Sequence, residues 1–427
     1  MAITIVQQPP AYAFGGAPMV YGLDSTAYAS AGFKYVADVY IWTGSSASVP
    51  AYYNYRLTRR PDPVSGRYGY FDIRNLVESF LSATNIQHDD AAAQNNIASV
   101  VNVQVKFREY TTSAGTGSVS ATSSTIKAYD GWTEFAEGLN QDVVTDTEGI
   151  LTSMPQSPVG IPIQENQAMT IGVMLGAEAP PDRIRITYSD GSDSVISFSS
   201  LSITGGTNSS NWMWYVPVGI ANLNEYAAYI VDEYEARVLA DGGTYEVNTC
   251  LAAFISNPPS SVSNLQWYTV EFLADTTVLR TYRFEVQCEP RYEPLTLAFQ
   301  NKYGAWDYLL VQKKSVESIR AERETYSANV VTRQSGVASM PAYAAQKQYF
   351  NTQAQEQLVV NTGFIPDQMN EMIKQMMVSP VLQIVEQEAS VVLTDSQITY
   401  KTSVNDFLTQ YTFTLDYANP LKNKAWL

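Results

Sequence analysis

Apolar residues recur at every second position along much of this chain, the period of a strand with one buried face. Phe33, Tyr35, Ala37, Val39 and Ile41 fall on one side of such a segment, with Lys34 and Asp38 on the other. Val101, Val103, Val105 and Phe107 alternate with Asn102, Gln104, Lys106 and Arg108. The same rhythm runs through Tyr282, Phe284, Val286 and Cys288, and through Tyr411, Phe413, Leu415 and Tyr417. One dry and one wet face is what an antiparallel sheet packed on one side requires. Turn chemistry separates these segments. Asp190-Gly191 lies between 183–188 and 195–198, and Asp241-Gly242-Gly243 between 234–239 and 244–250. Glycine there supplies the positive φ of tight hairpins. Ala274-Asp275-Thr276 and residues 301–304 mark two further turns.

Helical spacing is confined to two segments. Asp72 is placed to cap a helix carrying Ile73, Leu76, Val77, Phe80 and Leu81 on one stripe. Pro366 and Asp367 open another, with Met369, Met372, Ile373, Met376 and Met377 in helical register and Ser379-Pro380 at its end. That Met stripe reads as a core face before a partner groove. The expected fold is mainly β: tandem antiparallel β-sandwich domains with two or three short helices and an extended N-terminal arm. Composition shifts divide the chain into the arm (1–30), a β-sandwich with one helix (31–110), a Ser/Thr/Gly-rich linker or insertion (111–149) and a β-rich centre (150–326). A polar, Gln- and Ala-rich connecting segment (327–357) and a C-terminal α+β unit (358–427) complete it.

Composition narrows the function. The 427 residues include 26 Lys+Arg against 42 Asp+Glu, a formal net charge of -16. Clustered cations, which phosphate contacts need, are scarce, so no nucleic-acid contact is expected. Charged residues are only 16%, below the ~25% of an ordinary soluble chain, and 29 Tyr help fill the deficit. One His and two Cys leave no zinc cage. His88, in Gln87-His88-Asp89-Asp90, reads as part of a polar loop. Asp130, Glu134, Asp190, Asp193 and Asp307 are available for carboxylate-pair glycoside hydrolysis, but nothing local selects two of them. Asp190-Gly-Ser-Asp193 fits a turn better than a calcium loop. Neither GxxxxGK[ST] nor a strand–GxGxxG–helix occurs. The expectation is a non-enzymatic chain with no catalytic, metal or cofactor residues. Cys250 and Cys288 read as two thiols rather than a disulfide. The start has no basic, then apolar leader, and no run approaches ~18 apolar residues, so neither a signal peptide nor a membrane span is expected.

Two basic clusters stand out in this acidic chain: Arg56-Leu-Thr-Arg59-Arg60, and Lys313-Lys314 with Arg320 and Arg323. They read as solvated faces or as contacts to an acidic partner protein. Aromatics cluster at Tyr52-Tyr53-Asn54-Tyr55, Tyr68-Gly69-Tyr70-Phe71 and Trp212-Met213-Trp214-Tyr215. Tyr and Trp suit interfaces, where a ring buries area while its polar tip keeps a partner. The interface candidates are Tyr12, Phe14 and Tyr21 in the arm, with Trp212, Trp214 and Trp306. Trp212 and Trp214 also suit a sugar-stacking platform.

Several motifs together resemble virion structural proteins of tailed bacteriophages, including phages of Bacteroidetes-type hosts. They are Ile5-Val-Gln-Gln-Pro-Pro10, Phe33-Lys-Tyr-Val-Ala-Asp-Val-Tyr40 and Tyr68-Gly-Tyr-Phe-Asp-Ile73. Further along come Phe299-Gln-Asn-Lys-Tyr-Gly-Ala-Trp-Asp307, Lys313-Lys314-Ser315, Val378-Ser-Pro-Val381, Leu393-Thr-Asp-Ser396 and residues 411–419. The resemblance implies a component of the tail, hub, baseplate or neck that carries no catalytic residues. Its partners would be copies of itself in a homo-oligomeric ring and other virion proteins, and its location the virion, assembled in the host cytoplasm. A receptor- or carbohydrate-binding tail adhesin, with a host glycan as ligand, is the alternative.

Overall fold

The computed structural model describes residues 3–82, 86, 88, 93–96, 98–164, 167–174, 181–189, 191, 193–197, 203–204, 213–222, 266–287, 291–395, 408–419 and 421. Strands dominate, and antiparallel pairing is the rule. The chain divides into two compact units. The first holds residues 1–289, 298–308 and 366–380; the second holds 290–297, 309–365 and 381–427.

In the first unit a three-stranded sheet, Ile3–Gln7, Val20–Ser25 and Gly69–Asp72, shares a core with a larger sheet. The larger sheet runs in the order Tyr12–Phe14, Ile126–Tyr129, Val100–Thr111, Lys34–Trp42, Tyr55–Arg59. Tyr21, Leu23 and Phe71 from one side meet Tyr35, Val39, Val103, Val105 and Phe107 from the other in a single cluster. This is the sandwich that strict alternation predicts: Val101, Val103, Val105 and Phe107 are all buried. The alternation misleads about the second face of Lys34–Trp42. Val36, Tyr40, Trp42 and Asp38 are buried too. Arg56 and Arg108 clasp the Asp38 carboxylate, while Lys106 lies over the Tyr40 ring and Arg56 over Tyr53, so long cationic side chains roof what looks like a wet face.

The N-terminal segment is extended, but it is woven into the unit instead of standing free as an arm. Its Pro and Gly residues punctuate three short strands, Ile3–Gln7, Tyr12–Phe14 and Val20–Ser25. The middle one pairs in parallel with Ile126–Tyr129. Residues 111–125, expected as linker, instead make a turn and the strand Gly115–Thr122, which folds back on Val100–Thr111. Two further five-stranded sheets complete this unit. One carries the predicted hairpins: Arg183–Tyr188 pairs with Asp193–Ser197 around Gly191, and Trp267–Ala274 pairs with Thr277–Val286 around Asp275. Cys250, Cys288 and the Asp241-Gly242-Gly243 turn lie outside the described residues.

The helices are short, as expected. Arg74–Glu78 is a single turn whose first N–H donates to Asp72 Oδ1 (3.0 Å) and whose Val77 is buried. Val143–Thr147 is capped by the Asp142 carboxylate. Asn370–Val378 buries Met372, Ile373 and Met376, so the Met stripe is a core face.

In the second unit Leu382–Ile384, Ala389–Leu393, Leu408–Tyr417, Lys347–Pro366 and Val316–Ser327 lie side by side in one sheet, in that order. Leu358, Val360, Leu382, Ile384, Val391, Phe413 and Leu415 are among its buried positions. The final strand, Val316–Ser327, is exposed at every residue.

Candidate interaction surface

That last strand and its partner form a long, exposed surface. Lys347–Pro366 is 20 residues long. Its second half is rooted in the sheet, with Leu358, Val360 and Ile365 buried. Gln355 and Gln357 also reach the neighbouring strand, donating to the Tyr417 carbonyl and the Asp416 carboxylate. Lys347–Pro366 pairs with Val316–Ser327 in a register running from Val316↔Val359 to Ser327↔Lys347, with a β-bulge between Glu324 and Thr325. Ala328 N–H continues the ladder to the Gln346 carbonyl. Beyond it a small hairpin, Thr332–Gln334 with Val337–Ser339, closes through Ser335 and Gly336. Both of those residues have positive φ, the backbone of a two-residue hairpin turn. Residues 316–357 are thus a two-stranded ribbon, of which the sequence suggested a β-rich stretch up to 326 and a polar connection over 327–357.

Both faces of the ribbon are open. Tyr326 and Phe350 rings meet at 6.3 Å, and the Tyr326 hydroxyl donates to Gln348 Oε1 (2.7 Å). Arg323 lies 5.5 Å over the Tyr349 ring. Arg320 and Glu322, two residues apart and so on one face, pair at 3.0 Å. Ile319 is 63% exposed, Phe350 65% and Tyr343 92%. Met340 and Val337 add to the apolar tip. A two-stranded hairpin is marginal in water, because it has no third layer to bury such groups against. Covering a Phe, Ile, Met or Tyr here is worth roughly 1.5–3 kcal/mol each. The second basic cluster falls partly here: Arg320 and Arg323 are ribbon residues, each partnered within the ribbon.

Most of the sequence-predicted interface residues are core residues. Tyr21 is buried against Phe107, and Phe14 packs on Tyr303. Trp306 is buried against the His88 ring, 5.2 Å away. Trp214 is 3% exposed. Tyr12 is half-buried, with Lys127 Nζ 5.0 Å over its ring. Trp212 lies outside the described residues. These rings were singled out for being large and aromatic, and the same property sends them into sheet cores.

The candidate catalytic groups are individually held by protein partners. Asp307 is fully buried. Thr152 Oγ1 donates to it at 2.6 Å, and Ser153 donates through both N (2.8 Å) and Oγ (2.5 Å). Burial raises its pKa above the ordinary value, against those bonds. Asp130 accepts from Gln300 Nε2 at 2.9 Å and is also raised, chiefly by burial. Glu134 is paired with Lys374 and sits low for that reason. Asp190 lies outside the described residues, as does the side chain of Asp193. His88 Nδ1 is 2.9 Å from the Tyr308 hydroxyl, which is itself 2.7 Å from Thr170 Oγ1, and the His88 carbonyl accepts from Asn222. These contacts tie distant strands together in a polar core.

Among the described residues no three His, Cys, Asp or Glu converge as a metal site, and no helix is long and apolar enough to cross a membrane. No protein-family model and no curated protein matches this chain.

Proposed function

We propose that the chain is an assembly subunit, a structural component of a tailed-phage virion that joins copies of itself and other virion proteins in a ring or hub of the tail, neck or baseplate. One observation carries the assembly reading: a ribbon of 12 paired positions with both faces and one edge open, presenting Ile319, Tyr326, Tyr349 and Phe350 to solvent. Apolar groups on so thin an element find their burial only against another polypeptide. The virion assignment rests on the sequence resemblance. The low fraction of charged residues, 16%, supports the assembly reading, since interface centres are depleted of charged side chains.

The test is direct. Replacing residues 319–356 by Asn-Gly joins Ser318 to Gln357, which are already paired, through a turn suited to them. Wild-type protein should form discrete oligomers in mass photometry and negative-stain microscopy, and the shortened chain should not. Mass spectrometry of purified particles should find the protein in stoichiometric amounts; its absence from them would remove the virion reading. The adhesin alternative has lost one of its two stacking residues, because the Trp214 indole is buried.

A further inference from the structure

Val316–Ser327 is an edge strand: 12 residues long, paired on one side only among the described residues, and exposed throughout. Alternate backbone N–H and C=O groups therefore point outward as a template for another strand, on a ribbon whose pairing carries a β-bulge between Glu324 and Thr325. Its side chains decide which strand fits. From Val316 the sequence reads Val-Glu-Ser-Ile-Arg-Ala-Glu-Arg-Glu-Thr-Tyr-Ser. Antiparallel self-pairing about a two-fold axis at Ala321 places Arg320 opposite Glu322 of the second copy, and Glu322 opposite its Arg320. Val316 then faces Tyr326 at both ends, Ile319 lies beside the aliphatic stem of Arg323, and Glu317 and Glu324 face Thr325 and Ser318.

The neighbouring registers fail on charge. An axis at Arg320 or at Glu322 sets that residue against itself. An axis half a residue either way sets Arg320 against Arg323, or Glu317 against Glu324. Like charges directly opposite are unfavourable across strands, and opposite charges favourable. The Ala321 register leaves the Arg320–Glu322 contact of the single chain in place and builds a square of four alternating charges. We infer that this strand is a self-recognition edge, joining two copies of the chain into one continuous sheet across a two-fold axis at Ala321. This deepens the assembly reading and rests on it. It adds a two-fold contact between copies, distinct from the head-to-tail contacts that close a ring.

Charge exchange tests the register. Arg320→Glu alone and Glu322→Arg alone each create two like-charge oppositions, and sedimentation velocity should show the dimer Kd rising at least about tenfold. The double variant Arg320→Glu/Glu322→Arg should restore it. Mixing the two single variants should give a heterodimer, since every opposition is then attractive. Both sites of change are exposed, so circular dichroism should report an unchanged fold. Ala321→Cys should form a disulfide-linked dimer under mild oxidation, because directly opposed Cα atoms lie about 4.5–5.5 Å apart. Ser318→Cys, some 20 Å from its mate by strand rise, should not, and wild type supplies the blank for the native cysteines. A wild-type chain that stays monomeric at high concentration overturns the inference, as do single variants that dimerise like wild type or a mixture that does not. If oligomers persist through every charge change yet vanish on removing residues 319–356, this edge is wrong and the assembly reading stands. If oligomers survive that removal, the ribbon reading itself is wrong.

Discussion

Asp38 is the residue whose removal most sharply tests the packing of the first unit. Its carboxylate has no exposure, and three charge-assisted bonds reach it: Arg56 Nε at 2.6 Å, Arg56 Nη2 at 2.9 Å and Arg108 Nε at 2.8 Å. Asp38→Asn keeps the shape but replaces one acceptor oxygen by an NH2 group, so one guanidinium faces a donor. Breaking a wholly buried pair costs about 3–5 kcal/mol. The two guanidinium groups are 37% and 24% exposed, so water recovers part of that, and about 2 kcal/mol is the expected loss. For a unit of about 300 residues that is a fall of roughly 3 °C in Tm.

The pH dependence has a fixed sign. Burial pushes the Asp38 carboxyl up, but the bonds from Arg56 and Arg108 outweigh it and hold the group below its ordinary 3.8. Its contribution is fully present above pH 3.8 and is lost as pH falls through the lower folded value. Differential scanning fluorimetry from pH 7 to pH 2.5 should therefore show the gap between Asp38→Asn and wild type closing only below pH 3.8. A variant within 0.5 °C of wild type at pH 7, or a gap that 1 M salt abolishes, would refute the argument, because salt screens surface pairs far more than buried ones.

Three further outcomes follow from geometry already described. Trp306→Ala should cost about 3–5 kcal/mol by emptying a core site, seen in chemical denaturation, while leaving self-association of the folded fraction unchanged; lost association at unchanged stability would restore the interface role. Gly304 has φ +78°, and a Cβ there would stand 2.0 Å from the Asp130 carbonyl oxygen, whereas Gly336 has φ +81° and open space. Gly304→Ala should thus lose about 3 kcal/mol or more, combining left-handed strain with overpacking, and Gly336→Ala about 1 kcal/mol; equal losses by denaturant titration would contradict this. Brief trypsin treatment should cut first after the exposed Arg320, Arg323, Arg333 or Lys347 in the isolated chain and be slowed in the assembled state. First cuts elsewhere, or no protection, would count against a covered ribbon.

Segments with one buried face were legible because period-two alternation reports burial directly. Val101 to Phe107, Tyr282 to Val286 and Tyr411 to Leu415 keep it, and their strands follow. The N-terminal segment hid its strands because each is only three to six residues long, too short for a period to register between Pro and Gly. The ribbon was invisible for the opposite reason. A strand wet on both faces has no dry face to mark, and only Ser335-Gly336 and the crowded charges of an edge strand signal it. Likewise, His88 and Tyr308 touch across 220 residues of sequence separation, and no local pattern encodes so distant a partner.

The ribbon also has a bearing on when copies of the chain can meet. Residues 316–357 carry four acidic and four basic side chains, so the whole -16 resides on the remainder. Two such bodies repel at close range, through an ionic atmosphere about 8 Å thick at physiological salt. Twelve residues of strand span roughly 40 Å, several times that thickness, on a strip with no net charge of its own. If copies pair through this edge as proposed, first touch between ribbons escapes the repulsion that opposes contact elsewhere, and raising ionic strength should quicken every later encounter more than this one.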